Sequence, residues 1–490
     1  MKPAAYPNLH LFQDWDRLDK KSIVERQMLL LRNLLLGSVI PFSNYYSHRI
    51  RRNDVYSLRS LEDMNVLPFT RKRDLEDVRQ FVLQPTQAQL ARRPSTIIKA
   101  LTRGPSATKA KLAHEYRPVL MTSTTGRSAQ PVPFVYSAHD LDILSLAGAR
   151  MMRVCETQQS WRHMNLFPYA PHLAFWQAHH AGIGFDAFML STGGGKAIGT
   201  DKNLQMIDKV QPDALIGMPT FIYHVLHQAV SEGRSWTNVK RLVLGGEKVP
   251  PGMRRKLLEM LRILGSDACS VMATYGLTEA KMAWPECPGA DGRGGTGYHL
   301  SPDLALVEVI DPETDLVVED GCPGEIVVTP LQARGTVVIR YRTGDIIDGG
   351  LTYEPCPYCG RTCPRLVGSI SRVSNQKRLH IDKIKGTLVD FNQMEVMLDD
   401  LSGLDAWQIE LRKENDDPLA RDEVHVYAAP ASDMSEGDLT MLIGKRFREI
   451  TEFTPNGIHI TTMEDMRSRL GVGEVLKEEK VVDLRKKNDG

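Results

Sequence analysis

Several short stretches of this chain gather side chains that can handle phosphate, ribose or a soft metal ion. The run MTSTTGR (121–127) packs the hydroxyls of Thr122, Ser123, Thr124 and Thr125 against Gly126. Hydroxyls and the open backbone N–H groups of a glycine turn can wrap phosphate oxygens. It is not a GxxxxGK[ST] phosphate loop, which the chain lacks. The run YGLTEA (275–280) offers Glu279 to a divalent cation and Thr278 to a phosphate oxygen. The run YRTGD (341–345) ends on Asp345, whose carboxylate can accept hydrogen bonds from two adjacent ribose hydroxyls. Each also has a plainer reading: a hydroxyl-rich turn, a capped loop, a hairpin turn.

Cys356, Cys359 and Cys363 form a C-x2-C-x3-C cluster. A C-x2-C pair is half of a tetrahedral zinc site. The completing pair is read as Cys287 and His299, at the two ends of the glycine-rich run between them, with Cys363 as an alternative ligand. Seven cysteines in all, an odd number, do not make a disulfide framework and point to a reducing cytoplasm.

These residues need elements to position them. Residues 117–123 and 131–137 read as strands on either side of the hydroxyl loop, and Ser137 with Asp140 makes a capping box for the helix that follows. Residues 213–219, 240–247 and 268–276 are short buried-strand runs separated by helical patterns at 220–230 and 250–264, the signature of a parallel sheet with crossovers. YGLTEA then falls at the carboxyl end of a strand, where open α/β sheets bind ligands. Residues 304–311, 324–331 and 336–345 lack intervening helices and read as antiparallel or barrel-like. After residue 373, a helix (391–400), strands (406–412, 423–429), a helix (436–450) and a strand (457–462) make a compact α+β unit. The expected fold class is α/β. A large N-terminal domain, 1–372, has a parallel α/β sheet, a β-barrel-like section and a mainly helical lead-in (1–115); a small mobile α+β C-terminal domain spans 373–490.

With 490 residues, 42% hydrophobic and 25% charged, the composition is that of a globular protein of several domains' worth of chain, and excludes disorder and fibrous repeats. A net charge of +1 argues against a nucleic-acid coat or a membrane-surface binder. No run of 18 apolar residues and no secretory leader is read, so no membrane span is expected. The charge is unevenly placed: 17 basic against 24 acidic residues from 373 onward, 44 against 36 before it.

The order of these motifs, with Gly245–Gly246–Glu247 between the hydroxyl loop and YGLTEA, resembles the adenylate-forming superfamily. YRTGDI, CPYCGRTCPR and VVDLR bring it nearest to phenylacetate–coenzyme A ligases and related aryl-CoA ligases. The resemblance implies an ATP-dependent, AMP-forming ligase that activates an aromatic or related carboxylic acid and passes it to coenzyme A. Thr122, Ser123, Thr124, Thr125 and Gly126 would hold the outer phosphates of ATP, Thr278 the α-phosphate and Glu279 Mg²⁺. Gly246, Glu247, Tyr275 and Gly276 would line the adenine, Asp345 would hold the ribose, and Arg372 would precede the hinge. Lys477 would be the mobile catalytic lysine, and His172, Phe175, Met218 and Pro219 would line the acid pocket. Ser123 and Arg127 stand where the family usually has glycine and lysine, and Leu476 where a glycine usually precedes the lysine. Two alternatives follow. One is an adenylation-impaired acyltransferase moving an acyl group between CoA and a carrier protein; the other is a non-catalytic interaction module supported by zinc at Cys287, His299, Cys356 and Cys359. The expected partners are a small-molecule carboxylic acid and CoA or an acyl carrier protein, with neither nucleic acid nor membrane; a homodimer is left open.

Overall fold

The computed structural model of the chain describes residues 13–124, 131–372, 383–384, 387–388, 391–414, 422–431, 434–451, 454–471 and 480–485. The helical lead-in contains α1, Lys20–Leu34, whose Ile23, Met28, Leu31 and Leu34 are buried at helical spacing. It is not a separate unit. Its apolar residues share one core with Val337, Val338 and Ile339 from the far side of the sequence. Antiparallel β1 (Pro118–Ser123) and β2 (Pro133–Ser137) flank the hydroxyl loop, and α2 (Ala138–Val154) starts immediately after β2. Ser137 and Asp140 form the capping box there, each side chain bonded to the other residue's backbone N–H.

The main sheet holds β3 (Arg162–Asn165), β4 (Phe188–Ser191), β5 (Ala214–Gly217), β6 (Arg241–Gly245), β7 (Ser270–Leu277) and β8 (Met282–Pro285) in the order β4-β3-β5-β6-β7-β8. All its pairs are parallel except β7 with β8. Helices α3 (Leu173–Phe185), α4 (Thr200–Val210), α5 (Pro219–Ser231) and α6 (Pro251–Ile263) are the crossovers. ALIG of β5 is wholly buried, as expected of a strand covered on both faces. β3, β4 and β8 escape the sequence reading. RHMN of β3 reads as polar, yet His163 and Asn165 are buried, bonded to the carbonyl oxygens of Phe188 and Phe175.

Next come β9 (Tyr298–His299), β10 (Ala305–Ile310), β11 (Gly324–Pro330), β12 (Tyr341–Ile347), β13 (Leu351–Thr352), β14 (Arg365–Leu366) and β15 (Ile370–Arg372). β10-β11-β12-β15 is an antiparallel sheet and β13-β14-β9 a second, small one. The strand expected at 336–345 is corrected: it begins only at Tyr341. Val337 to Ile339 turn into the core of the helical lead-in, and Arg340, at φ 46°, buries its guanidinium 2.8 Å from Glu308.

The C-terminal part has a short β16–β17 hairpin (Lys383–Ile384, Thr387–Leu388), α7 (Phe391–Asp400), β18 (Leu404–Lys413), β19 (Asp422–Pro430), α8 (Glu436–Thr451), β20 (Gly457–Ile460), α9 (Met463–Leu470) and β21 (Val481–Asp483). Its sheet runs β20-β19-β18-β21 over a core of its own, with Trp407, Ile409, Val424, Leu439 and Phe447. The uneven charge meets across the contact with the larger part. Lys248 and Arg255 face Glu395 and Asp400 at 4.0 and 3.1 Å.

Candidate active site

The motifs converge at the carboxyl end of the parallel sheet. Tyr275, near the end of β7, donates its hydroxyl to Asp345 Oδ2 of β12 at 2.9 Å. Tyr341, at the start of β12, donates to Glu279 Oε1 at 2.9 Å. Two tyrosines thus lace YGLTEA to YRTGD, although the motifs are more than sixty residues apart in the chain. Charge-assisted bonds of this kind are short and hold a carboxylate in one orientation. Asp345 is further placed by its own turn. Its N–H donates to Thr343 Oγ1, and the N–H of Gly344, at φ 72°, donates to Glu325 Oε1, both at 3.0 Å. A side chain at Gly344 would strain that left-handed turn. Asp345 is paired in register with Arg372 of β15, whose side chain lies outside the described residues.

Glu247 accepts from the N–H and the hydroxyl of Thr220 at 3.3 and 2.8 Å. It therefore ties the turn after β6 to the first turn of α5, where Met218 caps the helix and Pro219 occupies its first position. Gly246, at φ 87°, brings the turn beside Met218, 4.0 Å from where a Cβ would stand. At Gly276 a Cβ would come within 2.6 Å of Ala283, so β8 can approach β7 only because this position is glycine.

Of the residues expected to line an acid pocket, two are brought together in the interior. Phe175 and Met218 share a buried apolar cluster with Phe167, Ile216, Val243 and Met272. His172 stands at the N-cap of α3 and donates through Nδ1 to the carbonyl oxygen of Ser123 at 2.9 Å, linking the start of α3 to the strand that carries the hydroxyl loop. Of that loop, Thr122, Ser123 and Thr124 are described; Thr125, Gly126 and Arg127 lie outside the described residues, as does Lys477. Thr124 closes the neck of the loop, exchanging hydrogen bonds with Val132. Thr122 stands differently from Ser123 and Thr124. Its register opposite Phe134 turns it inward, fully buried, and its hydroxyl donates to Tyr136 Oη.

Sequence reasoning missed Tyr341 as the partner of Glu279 and Glu325 as the support of Gly344. The only signal was a tyrosine at the head of each motif. It also missed Lys281, directly after YGLTEA, whose buried ammonium meets Asp140 at 2.9 Å.

On another part of the molecule Cys287, His299, Cys356 and Cys359 bring one ligand atom each to within 4.8 Å of one another. Cys287 and Cys356 sulfurs are 3.7 Å apart, and Cys359 Sγ lies 3.3 Å from His299 Nε2. Tetrahedral zinc with bonds of about 2.3 Å to sulfur spaces its ligand atoms by about 3.7 Å, so the set fits in both type and spacing. Cys363 is not part of this group; it is buried beside it with Trp15 and Val154. The bond with the Cys287 thiol, ahead of the neighbouring His299, holds Cys359 below the ordinary thiol range, leaving a thiolate for a metal.

An AMP-binding enzyme family model matches residues 157–334. The phenylacetate–coenzyme A ligase of Thermus thermophilus is 24% identical over 347 residues, 70% of this chain and 68% of that protein. That of Pseudomonas putida is 24% identical over 404 residues, 81% of this chain and 80% of that protein. Among solved structures, a 2-hydroxyisobutyryl-CoA ligase in the postadenylation state superposes with a TM-score of 0.73 at 18% identity, covering 98% of this chain and 94% of that one. With YGLTEA and YRTGD laced together at the sheet's carboxyl end, the chain is similar to AMP-binding enzymes over residues 157–334 and to phenylacetate–coenzyme A ligases over most of its length.

Proposed function

We propose that the protein is an AMP-forming acid–thiol ligase: it activates a carboxylic acid, of aromatic or related type, as an acyl-adenylate and transfers the acyl group to coenzyme A. The observation that carries this reading is the pair of bonds from Tyr275 to Asp345 and from Tyr341 to Glu279, which sets a ribose-type carboxylate and a cation-type carboxylate in one site. The sequence relatives are named as ligases of this kind.

A free carboxylate does not acylate a thiol, because oxide is a poor leaving group. Attack of the acid's oxygen on the α-phosphorus of ATP expels pyrophosphate and gives a mixed anhydride whose leaving group is AMP. Asp345 would accept the ribose hydroxyls and so fix the α-phosphate against Thr278. The apolar wall of Phe175 and Met218 would hold the acid's hydrocarbon body and exclude water from the anhydride. Glu279, oriented by Tyr341, would hold Mg²⁺, whose charge offsets the repulsion between phosphates and the incoming carboxylate. Lys477, on the C-terminal unit, would neutralise the developing charge in the first half-reaction and withdraw when that unit turns to admit the thiol. Zinc at Cys287, His299, Cys356 and Cys359 would be structural, since all four positions of a tetrahedron are filled by protein.

The test is incubation with ATP, Mg²⁺, CoA and a panel of aryl and short-chain acids. Release of pyrophosphate and AMP, with thioester formed only when CoA is added, is expected for at least one acid. No pyrophosphate with any acid would defeat the reading.

A further inference from the structure

Lys281 takes a left-handed backbone conformation, φ 58°, which a residue with a side chain adopts when its surroundings impose it. Its side chain is 5% exposed and that of its partner Asp140 2%. The ammonium donates to Asp140 Oδ2 at 2.9 Å and to the carbonyl oxygen of Val135 at 2.8 Å, and lies 4.7 Å from the centre of the Tyr136 ring. Asp140 also accepts from the N–H groups of Ser137 at 2.9 Å, Arg334 at 2.9 Å and Gly335 at 2.7 Å. Gly335 approaches so closely that a Cβ would stand 2.1 Å from Val135 O. Tyr136 in turn receives the hydroxyl of Thr122.

One ion pair therefore joins three stretches of chain. They are the β1–β2 hairpin that carries the hydroxyl loop, the turn that holds Thr278 and Glu279, and the segment 334–340 that leads into Asp345. None of the hydrogen bonds just named is to Thr278, Glu279 or Asp345. A charge pair this deeply buried is a poor stabiliser compared with a well-packed apolar pair, so stability alone does not account for it. Its directional bonds, unlike apolar packing, fix where each of the three stretches lies relative to the others.

We propose that Lys281 and Asp140 are positioning residues of the nucleotide site, which set the spacing between the phosphate hairpin, the Thr278–Glu279 turn and the Asp345 strand without touching the ligand. This rests on the reading of the protein as an adenylate-forming ligase. The experiment measures Mg·ATP binding by calorimetry, the KM for ATP and kcat in pyrophosphate release, and the thermal melt, for wild type, Lys281→Met, the double variant Lys281→Met with Asp140→Leu, and Lys281→Arg. Lys281→Met is expected to melt lower, because Asp140 is left buried and unpaired. The double variant is free of buried charge but leaves the N–H groups of Ser137, Arg334 and Gly335 without their acceptor, so it is expected to melt below wild type and, where folded, to bind ATP about tenfold or more weakly. Lys281→Arg keeps the charge with a different reach, and is expected to raise the KM for ATP several-fold at an unchanged melt. Wild-type ATP affinity in both the folded double variant and Lys281→Arg would overturn the proposal. Should the double variant not fold, a wild-type KM in Lys281→Arg would do so alone. A wild-type protein that binds no adenine nucleotide would instead overturn the ligase reading on which the proposal rests.

Discussion

The nucleotide-type site and the Cys/His cluster both draw on segments far apart in the chain, but they are held in opposite ways. In the cluster, Cys356 and Cys359 belong to one tight knuckle, closed by the bond from Gly360 N–H to Cys356 O at 2.9 Å. His299 sits on β9, which pairs with β14, the strand that follows that knuckle. Covalent spacing therefore does half the positioning, and a metal would do the rest. In the nucleotide-type site the two acids are oriented by polar bonds from other segments, Tyr275 to Asp345 and Tyr341 to Glu279, and Glu325 holds the Gly344 turn. The lesson is that the cluster is vulnerable to loss of a ligand, whereas the nucleotide-type site is vulnerable to small displacements of parts that carry no chemistry.

The sharpest way to break this contrast is at the cluster. Chelation, or Cys356→Ser, is expected to lower the thermal melt strongly, since structural zinc contributes about 10–16 kcal/mol in small domains where folding and binding are coupled. Metal analysis of the purified protein should return one zinc per chain. A metal-free protein with an unchanged melt would show that the knuckle holds itself. Next in size is Glu279→Gln, expected to slow pyrophosphate release by about 10²–10³-fold, or roughly 3–4 kcal/mol, with little change in the melt. A loss of stability matching the loss of rate would mean that Glu279 is a structural residue.

Tyr275→Phe removes a bond to a carboxylate worth about 1.5–3 kcal/mol and should weaken ATP binding by about tenfold or more while leaving the acid's KM alone. Its effect on the melt should be small, because Tyr275 is only partly buried. His172→Ala, which severs the link to Ser123, is expected to cost about 1 kcal/mol in kcat/KM. The smallest expected effect is seen only in acid. Burial alone would raise the pKa of Asp140, but Lys281 and the N–H of Ser137 outweigh it and hold the carboxyl below its ordinary 3.8. A carboxyl depressed in the folded state stabilises the fold above its unfolded value, and that contribution is lost as pH falls through the lower, folded value. At neutral pH its titration is silent; below about pH 4 the melt of wild type should fall more steeply than that of Asp140→Asn. Parallel curves would remove Asp140 from the account.

Much of this was legible in the residues. ALIG and RLVLG announced the buried parallel strands because both faces of such a strand must be apolar. Ser137 and Asp140 announced the start of α2 because a capping box needs those two side chains at that spacing. The four metal-type ligands were named from type and spacing, and their atoms converge. Less legible were β3, whose buried histidine and asparagine hide it among polar residues, and the start of β12, where Val337 to Ile339 look like strand but are claimed by the lead-in core. Thr122 was drawn into the phosphate set by its hydroxyl, and only the register of β1 on β2 turns it inward. No local pattern announced Lys281 or the partners of Asp345 and Glu279, since those contacts close over loops of about sixty to one hundred and forty residues.

The order of the chain alone determined which chemistry is present: hydroxyls, carboxylates and soft ligands, each on a turn beside an apolar run. That much is local, because turn residues and buried strands are chosen by backbone conformation and hydrophobic burial over a few residues. Tertiary structure alone decided which of these groups meet. Strands of two different sheets come close enough for Tyr275 to reach Asp345 and Tyr341 to reach Glu279, and a buried cation bonds across the surrounding loops. Such pairings depend on desolvation and on distances set by the whole sheet, and no short stretch of sequence contains them.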